Sequence, residues 1–181
     1  MNRRRAVLVA LALAVLATIV YSQYWVLTGR AATVEHGRLY RSGRMSSERL
    51  IEYCRRHAIT TVVDFRKTSP ETTAEAQAMA RAGIAYVALP TGQVPSAETV
   101  TGFLNLMDTK RQEPVLIHCR HGVGRTGLFS AIYRMEYQGW SKRAAILEAV
   151  VMSGFGSFGP GNSKAAFLSA YKPRRLYVAP G

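Results

Sequence analysis

Residues 114–127 read PVLIHCRHGVGRTG, and this stretch decides the fold. Its apolar start, closed in front by Pro114, is short enough for a buried strand, and the residues from Thr126 onward open a helix. The loop between them sets Cys119 and Arg125 six positions apart. Backbone N–H groups in such a loop converge on an anion, and the following helix adds its positive end. The same field favours a thiolate at Cys119. Arg125 offers a planar fork that grips two phosphate oxygens, which a lysine does not reproduce. Gly122 and Gly124 allow backbone angles and close approaches that a β-carbon would hinder. Thr126 can donate to the sulfur, and His118 can hold the loop from behind.

Outward from that loop, strand and helix signals alternate. Residues 38–41 (RLYR) read as a short strand, and Ser46 or Ser47 caps a helix to about His57. Residues 60–65 (TTVVDF) form a β-branched strand. Ser69-Pro70-Glu71 opens a helix with a cap, a proline at the first position and an acid at the dipole's positive end. That helix ends at Gly83, and a strand follows over 84–89. Ser96 caps a helix reaching about Thr109, ahead of the strand at 114–118. Helices are expected at 126–138, closed by Gly139, at 141–152 and at 163–171, the last after a glycine-rich loop (154–161). This order predicts an α/β fold, a central mostly parallel sheet flanked by helices.

A bare Cys-x5-Arg spacing is weak in an arginine-rich chain. Requiring His before the Cys, Gly three after it, and Ser or Thr after the Arg lowers chance occurrence to about one in twenty thousand. HCRHGVGRTG resembles the signature loop of the cysteine-dependent protein tyrosine and dual-specificity phosphatase superfamily. GRLYRSG (37–43), TTVVDFR (60–66) and GWSKRAAILEA (139–149) are similar to its small bacterial dual-specificity-like members, and the likeness spans about residues 34–171. The resemblance implies phosphomonoester hydrolysis through a phosphocysteine intermediate, with no metal and no other cofactor. It implies Cys119 as nucleophile, Arg125 as transition-state clamp, and Thr126 assisting breakdown of the intermediate. The backbone of Arg120, His121, Gly122, Val123, Gly124 and Arg125 becomes the phosphate cradle. Phosphotyrosyl or dual-specificity protein substrates follow, with a phospholipid or phosphoinositide-like headgroup as the alternative.

The chain departs from that pattern in one respect. The family usually supplies an aspartic acid from a mobile loop to protonate the leaving oxygen, and residues 89–98 (LPTGQVPSAE) contain no Asp. Asp64 ends a strand on the edge where parallel sheets place their ligands, so it is the first candidate acid. Glu98 is the second, although the first turn of a helix explains a carboxylate equally well. Asp108 falls late in a helix and reads as surface. Arg66 and Lys67 either line the pocket mouth or form a solvated strand end. Arg120 and His121 add positive charge beside the loop, which suits a multiply charged substrate. Cys54 reads as a buried helix residue, with a redox partnership or disulfide to Cys119 as the alternative. His36 and His57 have no metal-ligand spacing around them.

The chain has 181 residues, enough for one domain and a short appendage, and 48% are hydrophobic, which excludes wholesale disorder. Two cysteines exclude a disulfide-dense scaffold and four-cysteine zinc modules. A net charge of +13 suits anionic partners, but no aromatic-rich basic motif accompanies it, so nucleic acid is not expected. A phosphate-binding pseudoenzyme and a rhodanese-type sulfurtransferase remain rival classes; the Arg-Thr ending of the motif speaks against the latter. Arg3-Arg4-Arg5 precedes an uncharged stretch, 6–27, that is long enough to span about 30 Å of hydrocarbon. Tyr21, Tyr24 and Trp25 stand at its far end, where amphipathic rings favour the interface. Residues 1–30 are therefore expected to be a single-pass anchor, with a cleaved signal as the rival. Residues 31–181 form the catalytic domain. The arginine cluster holds the N-terminus in the cytoplasm, which puts that domain on the periplasmic face of a bacterial inner membrane.

Overall fold

The computed structural model describes residues 3–27, 29–153, 156–159 and 161–174. Parts of the glycine-rich loop and of the basic tail therefore lie outside the described residues. The chain begins with α1 (Arg3–Leu27), whose described side chains from Val7 to Tyr24 are exposed. This helix is long and apolar enough to cross a membrane, a property that a signal sequence shares. The Trp25 side chain lies outside the described residues.

The domain then runs β1 (Ala32–Glu35), β2 (Leu39–Ser42), α2 (Ser47–Arg56), β3 (Thr61–Asp64), α3 (Pro70–Arg81), β4 (Ala85–Ala88), α4 (Ala97–Thr109), β5 (Val115–His118), α5 (Gly124–Tyr137), α6 (Lys142–Met152) and α7 (Ser163–Ala170). The sheet order is β1-β2-β5-β3-β4. β2, β5, β3 and β4 pair in parallel, and β1 adds one antiparallel edge, so the sheet is mixed. β1 is not among the strands expected from the sequence. Its four residues become a strand only because β2 lies beside them.

Local chemistry explains most of the other boundaries. Ser46, Ser69, Ser96, Ser141 and Asn162 each accept a backbone N–H at the start of α2, α3, α4, α6 and α7. Ser69 and Thr72 complete a capping box, with Pro70 in the first turn. Gly83 and Gly139 follow α3 and α5 at φ +74 and +66, where a side chain would be strained.

Side chains on β3 and β5 alternate between the two faces of the sheet. Val63, Phe65, Val115, Ile117 and Cys119 belong to the core under α4 and α5, where Phe65 stacks on Phe129 at 4.0 Å. Val62 and Leu116 belong to the second core, with Leu50 and Cys54 of α2 and Met79 of α3. Both cysteines are free and sit in different cores, so the Cys54–Cys119 disulfide considered from the sequence is not formed. Burial pushes the Cys54 thiol up to about 12, which removes the thiolate that redox exchange requires.

Candidate active site

The alternation along β5 hands Cys119 to the α5 face and His118 to the α3 face. Cys119 is buried, and its Sγ lies 3.9 Å from the Thr126 hydroxyl. After it the chain turns through residues 120–123 and enters α5 at Gly124, two residues earlier than expected from the sequence. Among the described helices of the domain, α5 is the one that starts without a side-chain cap; Val123 occupies its N-cap position. The first-turn amides of α5 are therefore left without the partner that a serine supplies elsewhere in this chain.

The loop carbonyls are tied from outside. The Arg44 amide donates to the Arg120 carbonyl at 3.2 Å, Arg30 Nη1 to that of His121 at 3.4 Å, and Arg41 Nη1 to that of Gly122 at 3.3 Å. In a trans peptide the N–H points opposite to the C=O. Holding these three carbonyls outward thus turns the amides of His121, Gly122 and Val123 inward, an arrangement that can receive an anion. Gly122 has φ +71, and a β-carbon on it would come within 2.4 Å of the Gly43 nitrogen. At Gly124 the neighbour is a flexible side chain: Lys164 Cε lies 3.2 Å from where its β-carbon would stand.

Arg125 Nη1 donates to the carbonyls of Phe65 at 2.6 Å and Thr91 at 3.4 Å, which fixes the guanidinium on the wall of a cleft of about 530 Å³. Arg44, Arg66, Lys67 and Arg120 also line this cleft, so it is strongly cationic. The single carboxylate among its lining residues is Glu71, whose oxygens are engaged by Arg44 and Arg66. His121 departs from its expected role as a second cation. Burial, and then the charges of Arg120, Arg30, Arg125 and Arg44, hold its imidazole below the ordinary histidine value, so it is neutral at pH 7.

Asp64 does not join Cys119. It shares the α3 face with His118, and Arg66 folds back to bridge Asp64 at 2.9 Å and Glu75 at 2.5 Å. Tyr86 donates to Asp64 Oδ2 at 2.5 Å, and His118 Nε2 lies 3.1 Å from Glu75 Oε1. Burial opposes the charged form of Asp64, but Arg66, His118 and Tyr86 outweigh it and hold the carboxyl below its ordinary value. A buried carboxylate so committed is a poor proton donor, and the expectation of Asp64 as the acid is corrected on that ground. Asp64, Glu75 and His118 place ligand-type atoms within 4.8 Å of one another, yet the Arg66 guanidinium already supplies the cation between the two carboxylates. Glu98 lies exposed in the first turn of α4, as expected. Asp108 is half-buried and accepts from Tyr137 at 3.0 Å, so it is tied into the helix layer.

Four residues of this region were not singled out from the sequence: Arg41, Arg44, Glu71 and Lys164. The first two fall next to or within GRLYRSG, where two arginines three residues from one another were a usable signal. Lys164 left none. It is only 5% exposed, and burial and Arg125 push its ammonium below the ordinary lysine value while Cys119 acts the other way.

Comparison with known proteins agrees with this geometry. Residues 20–164 match the family model described as DSP-PTPase phosphatase fused to NAD+ kinase. The dual specificity protein phosphatase TpbA of Pseudomonas aeruginosa (strain UCBPP-PA14) is 38% identical over 120 residues, which cover 65% of this chain and 52% of that protein. The chain thus spans about half the length of the curated relatives it matches. A crystal structure of P. aeruginosa TpbA superposes with a TM-score of 0.64 at 32% identity, covering 79% of this chain and 85% of that one. A cysteine-to-serine TpbA variant in complex with phosphotyrosine gives 0.57 at 30% identity, over 77% and 94%.

Proposed function

The chain belongs to the DSP-PTPase phosphatase family, and on that premise we propose that it hydrolyses phosphomonoesters through a phosphocysteine on Cys119. The Cys119 thiolate attacks phosphorus, the P–O bond to the leaving group breaks, and the departing oxygen takes a proton. Water then attacks phosphorus, the S–P bond breaks, and inorganic phosphate leaves with the thiolate restored. The inward amides of the 120–125 loop and the Arg125 fork meet the three non-bridging oxygens, whose charge rises in the transition state. Thr126, within reach of the sulfur, stabilises it as a leaving group in the second step. His118, held against Glu75, fixes the strand end from which Cys119 departs.

The observation that carries this reading is the junction of Cys119 with an uncapped α5 and an arginine anchored on the cleft wall. A TpbA variant has been solved with phosphotyrosine, which supports phosphotyrosyl or dual-specificity protein substrates here. The cationic lining of the cleft also favours a second reading, a multiply phosphorylated lipid headgroup. With Asp64 and Glu71 both committed, the leaving group departs with little help from a side-chain acid. α1 holds the domain at a membrane, on the periplasmic face if the arginine cluster stays inside.

The test is rapid acid quench of turnover with para-nitrophenyl phosphate, followed by mass spectrometry. Wild type should carry a phosphate adduct on the Cys119 peptide, and Cys119→Ser should show neither adduct nor turnover. Turnover retained in Cys119→Ser overturns the mechanism. Rates on a phosphotyrosyl peptide and on a soluble phosphoinositide rank the two substrate classes.

A further inference from the structure

The reverse side of the phosphate loop carries a second cavity, of about 380 Å³, lined by Tyr21, Arg30, Arg41, Val151 and Met152 together with the back of Gly122 and Val123. Arg41 is 2% exposed, and among the described residues no carboxylate lies within ion-pair distance of it. One of its nitrogens donates to the Gly122 carbonyl, while its buried Nε has no hydrogen-bond partner. An arginine is always charged, and a buried charge without a counter-ion is unfavourable. Burial pushes the guanidinium down from its ordinary value; Glu148 and Cys119 offset that in part, but Glu148 is already bridged to Arg134.

Arg30 brings a second cation to the same cavity under backbone strain. Its φ is +53, in the left-handed region that non-glycine residues rarely adopt, directly after Gly29 at φ +58. The strain is held in place by the Gly43 amide, which donates to the Gly29 carbonyl at 2.7 Å, and by the contact of Arg30 with the His121 carbonyl. The rest of the wall is mostly apolar, with Ser153 among it. Val151 is 60% exposed and Met152 36%, so the wall offers apolar side chains to an occupant.

Position along α1 says what that is. At 1.5 Å per residue, Tyr21 stands about 27 Å from Arg3, at the far boundary of a hydrocarbon core of about 30 Å. The cavity opens at that level, where phosphate headgroups lie above acyl chains. We propose that it is a binding site for an anionic phospholipid, with the phosphate on Arg30 and Arg41 and the glycerol and acyl start against Val151, Met152 and Tyr21. The proposal rests on α1 lying in a bilayer and does not depend on the hydrolytic reading. Its consequence is direct, because Arg30 and Arg41 hold the His121 and Gly122 carbonyls. A lipid on these two side chains touches the supports of the phosphate cradle from behind.

Native mass spectrometry of the full chain released from vesicles tests this, using phosphatidylcholine alone and a 7:3 mixture with phosphatidylglycerol. Wild type should retain phosphatidylglycerol in preference to phosphatidylcholine. Arg30→Gln and Met152→Glu, both at positions open enough to spare the fold, should each reduce that retention at least fivefold with unchanged far-UV circular dichroism. Equal retention of the two lipids, or retention indifferent to both variants, overturns the proposal. Displacement of phosphatidylglycerol by millimolar inorganic phosphate would assign the site to a free anion and overturn the lipid assignment. Because the readout is binding, it stands or falls apart from turnover.

Discussion

Gly122 and Gly43 approach so closely that a β-carbon on Gly122 would stand 2.4 Å from the Gly43 nitrogen and 2.9 Å from its Cα. The phosphate loop is thereby seated on the turn after β2. That turn carries Arg44, whose amide holds the Arg120 carbonyl at the start of the loop, and it is pinned in turn by the Gly29 carbonyl. Gly122→Ala meets two penalties, a left-handed backbone worth about 1–2 kcal/mol and a clash with main chain that has nowhere to move. The melting temperature should fall by at least about 4 °C and most turnover should be lost. An alanine variant with wild-type melting and rate would show that the seat is not needed.

Arg125 reaches across the cleft to two carbonyls with one nitrogen, which leaves the rest of its fork for the substrate. A lysine has a single charged atom for both tasks. Arg125→Lys should therefore lower kcat by about 10²–10³-fold, the range seen when a preorganised donor is lost at a developing charge. Steady-state kinetics with para-nitrophenyl phosphate decide it, and a loss below tenfold would remove Arg125 from the transition state.

The identity of the proton donor is open to a panel of aryl phosphates with graded leaving-group acidity. With no side-chain acid, rates should depend steeply on leaving-group pKa, and Asp64→Asn and Glu98→Gln should leave that dependence unchanged. A flat dependence that turns steep in either variant identifies that carboxylate as the donor, which typically contributes a factor of about 10²–10⁴.

Asp64 should instead register in stability. Its folded value is depressed, so its contribution is present in full above the unfolded carboxyl value near 3.8 and is lost as pH falls through the lower folded one. Asp64→Asn should lower the melting temperature at pH 7 and flatten its decline below about pH 4. Breaking a buried pair costs about 3–5 kcal/mol, and asparagine, which keeps an acceptor for Arg66, should fall at the lower end. A variant with unchanged melting at pH 7 would contradict the buried network.

Lys164 lies over Gly124 with Cys119 and Arg125 as electrostatic neighbours. Lys164→Met keeps the stem that packs there and removes the charge. KM for a dianionic aryl phosphate should rise about tenfold, since charge-assisted contacts are worth about 1.5–3 kcal/mol. The melting temperature should hold or rise, because a buried ammonium is costly. Unchanged KM would confine Lys164 to packing.

The strand 115–118, the loop after it and the serine caps were legible because each is a local device. Cap and amide are three residues apart, and the loop's strand and helix adjoin it in the chain. The correction of Asp64 shows the limit. Alternation along a strand says that Asp64 and Phe65 face opposite ways, but not which face receives α5 and which receives Glu75 of α3. Only packing of the helices on the sheet decided that, and it sent Asp64 to Arg66 and away from Cys119. His121 was expected to add positive charge beside the loop; burial and Arg120 hold its imidazole below the ordinary value, and the fold adds Arg30, Arg125 and Arg44 to that effect, the first and last brought in from some eighty to ninety residues away. The sequence by itself therefore determined that Cys119, the loop after it and Arg125 stand in that order between β5 and α5. The tertiary structure alone decided which charges surround them, because electrostatic neighbours are chosen by distance in space, and a folded chain brings together residues whose separation in sequence carries no pattern to read.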